Sequence, residues 1–242
     1  MKTKIIEFIG MNKEFISLFN NTLLSIVVIF TSIKSCQMYE RQALAAEENF
    51  KPFIFLEKEI GYFKNKEDLN TQSLVAYNNR GIIKNLKYKI KSFIVYQQSN
   101  KNITDYYVIP VNFYNITYAT HHSSGKLFSA FNINNYASYD KLVFEEQMNY
   151  NRNYFTKLDL ITFINLKYED YMNVSKTENY IAKNTEIIQA QDLEFEQCEN
   201  ELSTQSTPID ISNISFTYLQ QKIQKHEIKN SSINSCKTIN IL

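Results

Sequence analysis

Hydrophobic and polar positions follow two different patterns in this chain, and the pattern changes near Pro52. Residues 15–33 read FISLFNNTLLSIVVIFTSI, with no charge between Glu14 and Lys34. A helix over this stretch rises about 28 Å, close to the thickness of a bilayer's hydrocarbon core. Asn20, Asn21, Thr22 and Ser25 interrupt its first half, whereas residues 23–30 are nearly all aliphatic. The run predicts a membrane-spanning helix. A cleaved signal peptide and the core helix of a soluble protein are the alternatives. A signal peptide wants a shorter core and a small-x-small site, and Ala43-Leu44-Ala45 lies past Lys34, Glu40 and Arg41. Residues 35–49 are rich in good helix formers, so the helix is expected to continue as a stalk. Lys51-Pro52 should stop it. Residues 1–14 make a candidate amphipathic helix, with Ile5, Ile6, Phe8 and Ile9 on its apolar side.

Beyond Pro52 the period shortens to two. Residues 53–60 are apolar and aromatic, and residues 74–78 form a short run ending in the turn Asn78-Asn79-Arg80-Gly81. Residues 86–96 alternate, with Leu86, Tyr88, Ile90 and Ser92 opposite Lys87, Lys89 and Lys91, as in a half-buried strand. Residues 105–118 form another strand run, in which Pro110 marks an edge or a bulge. Residues 127–133 and 142–148 are shorter strand candidates, with a helix over 145–152 as the alternative for the second. Leu158, Leu160, Thr162, Ile164, Leu166 and Tyr168 share one strand face, and residues 177–188 are expected to return on it as a hairpin. Some seven short strands predict a mainly β fold, an antiparallel β-sandwich. After residue 199 the chain turns polar, with a candidate helix at 215–229 carrying Phe216, Leu219 and Ile223. The last dozen residues are expected to be disordered. The expected organisation is an amphipathic segment (1–14), a transmembrane helix (15–33), a stalk (34–51), a β-sandwich (52–198) and a polar tail (199–242).

Composition changes this picture in three ways. The net charge of +1 gives no electrostatic case for nucleic acid. Lys2, Lys4 and Lys13 precede the span while Lys34 and Arg41 follow it, which favours the C-terminal domain outside the cytoplasm. The wealth of Asn, Ile, Lys and Tyr matches AT-rich codons, so Asn-x-Ser/Thr at Asn20, Asn102, Asn115, Asn173, Asn213 and Asn230 reads as chance. Cys36, Cys198 and Cys236 fit no zinc spacing. Three separate thiols is the favoured reading, with a Cys198–Cys236 disulfide as the alternative in an exported domain. Cys36 is a candidate for acylation at the membrane surface.

The span, the Gln/Arg/Ala/Glu stalk and the junction from Arg41 to Pro52 resemble a broad group of uncharacterised bacterial single-pass membrane proteins. Tyr77-Asn78-Asn79-Arg80-Gly81, with Lys84-Asn85-Leu86 after it, is similar to that group's turn and following strand. Leu160 to Asp170, ending NLKYED, is similar to its late strand. Ile83 stands where the group has a small residue. The resemblance implies an immunoglobulin-like sandwich on a membrane anchor and implies no activity.

Candidate chemistry is sparse. His121-His122 has no Cys, Asp or Glu nearby at ligand spacing and reads as an exposed loop pair. His226 reads as part of a solvated face. Glu145 and Glu146, if on a strand, would point to opposite sides. Asp159 and Asp170 have no partner motif, and neither a phosphate-binding glycine loop nor a Gly-x-Ser-x-Gly elbow occurs. No enzyme activity and no cofactor are expected. Tyr106, Tyr114 and Tyr118 share one parity, Tyr107 and Phe113 the other. One set should enter the core and the other should form an exposed aromatic strip for a protein partner. The expected function is a membrane-anchored binding or accessory module, held in the lipid bilayer by residues 15–33. The alternatives are a self-associating envelope protein, a homo-oligomer joined through Asn20 and Asn21, and a membrane-tethered enzyme.

Overall fold

The computed structural model describes residues 2–61, 70–100, 103–120, 123–149, 155–203, 207–225, 228, 233 and 236, with side chains in the first helix at 12 and from 17 onward. The chain divides into two compact units, residues 1–50 and 51–242.

The first unit is one helix, α1 (Lys2–Phe50), of 49 residues. The amphipathic segment, span and stalk are therefore one element, about 74 Å long at 1.5 Å per residue. It stops at Phe50, just before Lys51-Pro52, where the proline was expected to end it. No side chain from 17 to 50 is buried, and the helix is long and apolar enough to cross a membrane. Thr22, Ser25 and Thr31 return their hydroxyls to backbone carbonyls one turn earlier, at 2.8–2.9 Å.

The second unit is mainly β. Its elements are β1 (Ile54–Ile60), β2 (Gln72–Asn78), β3 (Lys84–Asn100), β4 (Ile103–Asn112), β5 (Ile116–Ala119) and β6 (Gly125–Phe131). There follow α2 (Asn135–Met148), β7 (Phe155–Glu169), β8 (Ser175–Lys183), β9 (Glu186–Ala190), α3 (Asp192–Leu202), β10 (Ile209–Asp210), a 3-10 turn (Ile211–Asn213) and α4 (Phe216–Gln224). One sheet runs β1-β2-β6-β5 and the other β10-β4-β3-β7-β8-β9. All pairings are antiparallel except β10 on β4. β10 covers β4 only at Val111 and Asn112, which leaves Pro110 at an otherwise open edge.

Both sheets feed one inner core. Leu74, Ala76, Phe128 and Ala130 come from the four-stranded sheet, and Ile94, Ile109, Leu160, Ile164 and Leu166 from the other. Tyr88 stacks on Phe128 across the gap at 4.5 Å. The alternation read in β3 and β7 is the one observed, with Ser92 and Thr162 meeting as a buried hydroxyl pair at 2.9 Å. Leu142 of α2, Ile211, and Phe216 and Leu219 of α4 complete this core.

The six-stranded sheet is also covered on its outer face. Phe93, Val95, Tyr106, Phe163 and Ile181 lie there with Phe195, Cys198 and Leu202 of α3. Phe163 meets Phe93 and Phe195 edge-on at 5.8 and 5.3 Å. A disulfide joins Cys198 to Cys236, with Cα atoms 4.8 Å apart, and brings Ile233 and Cys236 into the same cluster. β7 is covered on both faces, so every residue from 158 to 164 is buried, Asp159 and Thr162 included.

Four expectations need correction. Residues 142–148 belong to α2, because Asn135, Tyr139, Leu142 and Glu146 face inward at helical spacing and not at the alternate spacing of a strand. The run 105–118 breaks at Phe113 and Tyr114, where the chain leaves one sheet for the other. The polar tail is no separate segment, since Leu202, Ile211, Ile214, Phe216, Leu219 and Ile233 among its described residues are buried in the cores of the second unit. Cys198 and Cys236 are paired, leaving Cys36 as the free thiol.

Glycine is scarce, and asparagine takes over part of its work. Asn85, Asn134, Asn173 and Asn184 adopt positive φ of 47–61°, the left-handed conformation that Asn tolerates best after Gly.

Candidate functional site

The three tyrosines of the expected strip do not come together. Tyr106 is buried on the outer face of the six-stranded sheet. Tyr114 lies in the inner core and donates its hydroxyl to Gln72 Oε1 at 2.6 Å. Tyr118 is exposed on β5, stacked on Phe131 at 5.6 Å. Parity along 106–118 loses its meaning at the bend, because a strand's alternation holds only while the strand continues. Tyr107 packs beside Tyr96 on the inner side, with ring centroids 6.2 Å apart.

A different aromatic surface forms at the β1–β2 margin. Phe53 and Phe55 are 6.4 Å apart, Phe55 stacks on Tyr77 at 5.2 Å, and the Arg80 guanidinium lies 5.9 Å over the Phe53 ring. Tyr77 donates to Glu59 Oε1 at 2.6 Å, which fixes the ring's tilt. These residues alternate with Ile54 and Leu56, which face the core, so the ladder lies on the outer side of the four-stranded sheet. Phe53 remains 52% exposed. The signal was present in the alternation of 53–56, but an aromatic run at a strand start reads first as core.

The buried polar groups serve the fold. Asn135 accepts from the Gln72 and Tyr136 amides at 2.7 and 2.8 Å, and donates to the Gln72 and Phe113 carbonyls at 2.9 Å. One side chain thus joins β2, the bend after β4 and the first turn of α2. Asp159 is held by Lys157 and Lys183 at 2.8 and 3.5 Å. Asp170 accepts from the Met172 and Val174 amides, both at 2.9 Å, and closes the β7–β8 turn. Glu145 receives the Phe216 amide at 2.9 Å, while Glu146 takes the Thr156 hydroxyl, so these neighbours on α2 serve different contacts. Glu178 accepts from Tyr168 at 2.5 Å and from Tyr180, whose oxygen also lies 3.2 Å from the Ile54 carbonyl. Burial, then the hydrogen bond to Glu178, holds both phenols well above their usual range.

A polar hollow of about 350 Å³ opens at the start of α3, lined by Glu178, Asn179, Gln189 and Asp192 among others. Its Asn179 amide is already engaged: Asn165 donates to it at 2.6 Å, and it donates to Asp192 at 2.7 Å. His121, His122 and His226 lie outside the described residues. Among the described residues no three His, Cys, Asp or Glu side chains converge on a metal position.

Lys58 shares the inner side of β1 with Ile54 and Leu56 and donates to the Asn184 carbonyl. Burial lowers its ammonium to about 8. A charge pointing inward on an edge strand discourages pairing with another chain. Unfolded lysine keeps its proton to about pH 10.5, so between about 8 and 10.5 the unfolded state binds more protons and stability rises with pH. Lys58→Met should raise stability near neutral pH by about 1 kcal/mol and abolish that rise. Urea titrations at several pH values check both effects.

No protein-family model matches this chain, and neither the curated proteins nor the solved structures contain a match.

Proposed function

We propose that the chain is a bacterial, membrane-anchored, immunoglobulin-like sandwich that works by binding a protein partner outside the cytoplasm. The strand order supports the fold: β1-β2-β6-β5 corresponds to A-B-E-D of that topology, and β4-β3-β7-β8 to C′-C-F-G. β9, β10 and the α2 insertion are additions to it. Anchoring rests on α1, whose apolar stretch has the length of a bilayer core. The Cys198–Cys236 disulfide supports the outward placement, since such bonds persist on the oxidising side of a membrane.

The observation that carries the binding reading is the outward aromatic ladder Phe53–Phe55–Tyr77 beneath Arg80. Aromatic residues and Arg are the side chains that dominate protein interfaces. A photo-crosslinking amino acid at position 53 of the full-length protein, in its native membrane, tests this. A discrete adduct from position 53, with none from position 196 on the exposed side of α3, is the expected result. No adduct at 53, or equal adducts at both positions, would rule the surface out.

A further inference from the structure

We infer that α1 pairs in the membrane with a second copy of itself through the face that carries Asn21. The inference rests on the membrane reading above. Within residues 15–33 the hydroxyls of Thr22, Ser25 and Thr31 are satisfied by the helix's own carbonyls. The side-chain amides of Asn20 and Asn21 have no such bond, and no described side chain of this stretch is buried against another element. Asn21 sits about 9 Å inside the N-terminal end of the stretch and about 5 Å from its middle. An Asn side chain is too short to reach the interface from there, and lipid offers it no partner.

A carboxamide both donates and accepts, so a second Asn21 at the same depth in a parallel pair completes it. The rest of the face suits close approach. Ser25, Ser32 and Cys36 follow Asn21 on one side of the helix, with Ile29 between them. Small side chains let two backbones come near enough for amides to meet. The side of Asn20 continues instead through Leu24, Val27, Thr31 and Lys34, where two bulky side chains and a charge stand against one small hydroxyl. The occupant is therefore a second copy in parallel, which places Cys36 opposite Cys36.

The test uses the full chain. Carbonate extraction comes first, because a protein released from membranes removes the membrane reading itself. For the retained protein, light scattering in mild detergent over a concentration series gives the mass, and oxidation in membranes reports Cys36 proximity. The expected result is a dimer that crosslinks through Cys36. Asn21→Leu should weaken it roughly three- to thirty-fold in dissociation constant while remaining membrane-bound, and Asn20→Leu should leave it nearly unchanged. A monomeric wild type overturns the inference. So does a dimer insensitive to Asn21→Leu, one lost with Asn20→Leu alone, one without Cys36 crosslinking, or a crosslinked species containing a different protein.

Discussion

Removing the Cys198–Cys236 bridge as the double variant C198A/C236A is expected to cost about 4 kcal/mol of stability. The bridge closes a loop of sequence separation 38, and the chain-entropy relation gives about 4 kcal/mol for a loop of that size. The bridge also fastens the segment that brings Ile233 into the outer cluster with Phe93, Phe163 and Phe195. Without it, that part of the outer core is held by packing alone. Urea unfolding of the full chain in mild detergent, followed by near-ultraviolet dichroism of its 17 tyrosines, reads the loss. Reduction of the wild type should reproduce most of it. A loss under about 1 kcal/mol would mean that the C-terminal segment contributes little to the outer face.

The second large effect is expected in alkali. Burial raises the phenols of Tyr114, Tyr139, Tyr168 and Tyr180, and pushes Tyr96 up to about 12 with help from Glu146 and Tyr107. An unfolded tyrosine ionises near pH 10, so above that the folded state binds more protons than the unfolded one and stability falls. The contribution is whole below pH 10 and is lost as pH climbs through the folded values. At a pH of about 11, each such phenol costs about 1.4 kcal/mol. The five together reach about 7 kcal/mol, against a typical domain stability of about 5–15 kcal/mol. The gain from Lys58 is complete by about pH 10.5, where its unfolded form also loses the proton, so it does not oppose the fall above that pH. Tyrosinate absorbance should therefore show a late phase well above pH 10, in which the buried set ionises together with loss of near-ultraviolet dichroism. A single phase near pH 10 with the fold intact would contradict the burial of these side chains.

Local patterns were legible where a single physical cause governs them. The end of α1 at Phe50 follows from Pro52, and the faces of β3 and β7 follow from period-2 alternation. The strand assignment for 142–148 failed because a short apolar run in a helix and in a strand look alike until their neighbours are known. Sequence reading also undervalued the tail. Ile211, Phe216, Leu219 and Ile233 are few among polar residues, yet each fills a place in a core built by distant strands. Pairing of Cys198 with Cys236 depends on the same folding-back and has no local signature. The tyrosine strip failed for a topological reason, since Tyr114 and Tyr118 lie on opposite sides of a sheet crossing. The ladder at Phe53, Phe55 and Tyr77 needs the pairing of Phe55 with Tyr77 across β1 and β2, which only the register supplies.

Topology is the most direct test of a membrane-anchored domain placed outside the cytoplasm. Two fusions after Leu242 suffice, one to a reporter active only outside and one to a reporter fluorescent only inside. Activity from the first and darkness from the second is the expected result. It would place the disulfide and the aromatic ladder in the same oxidising compartment. The reverse pattern would put the β domain in the cytoplasm, contradicting both the outward placement and the persistence of the Cys198–Cys236 bond.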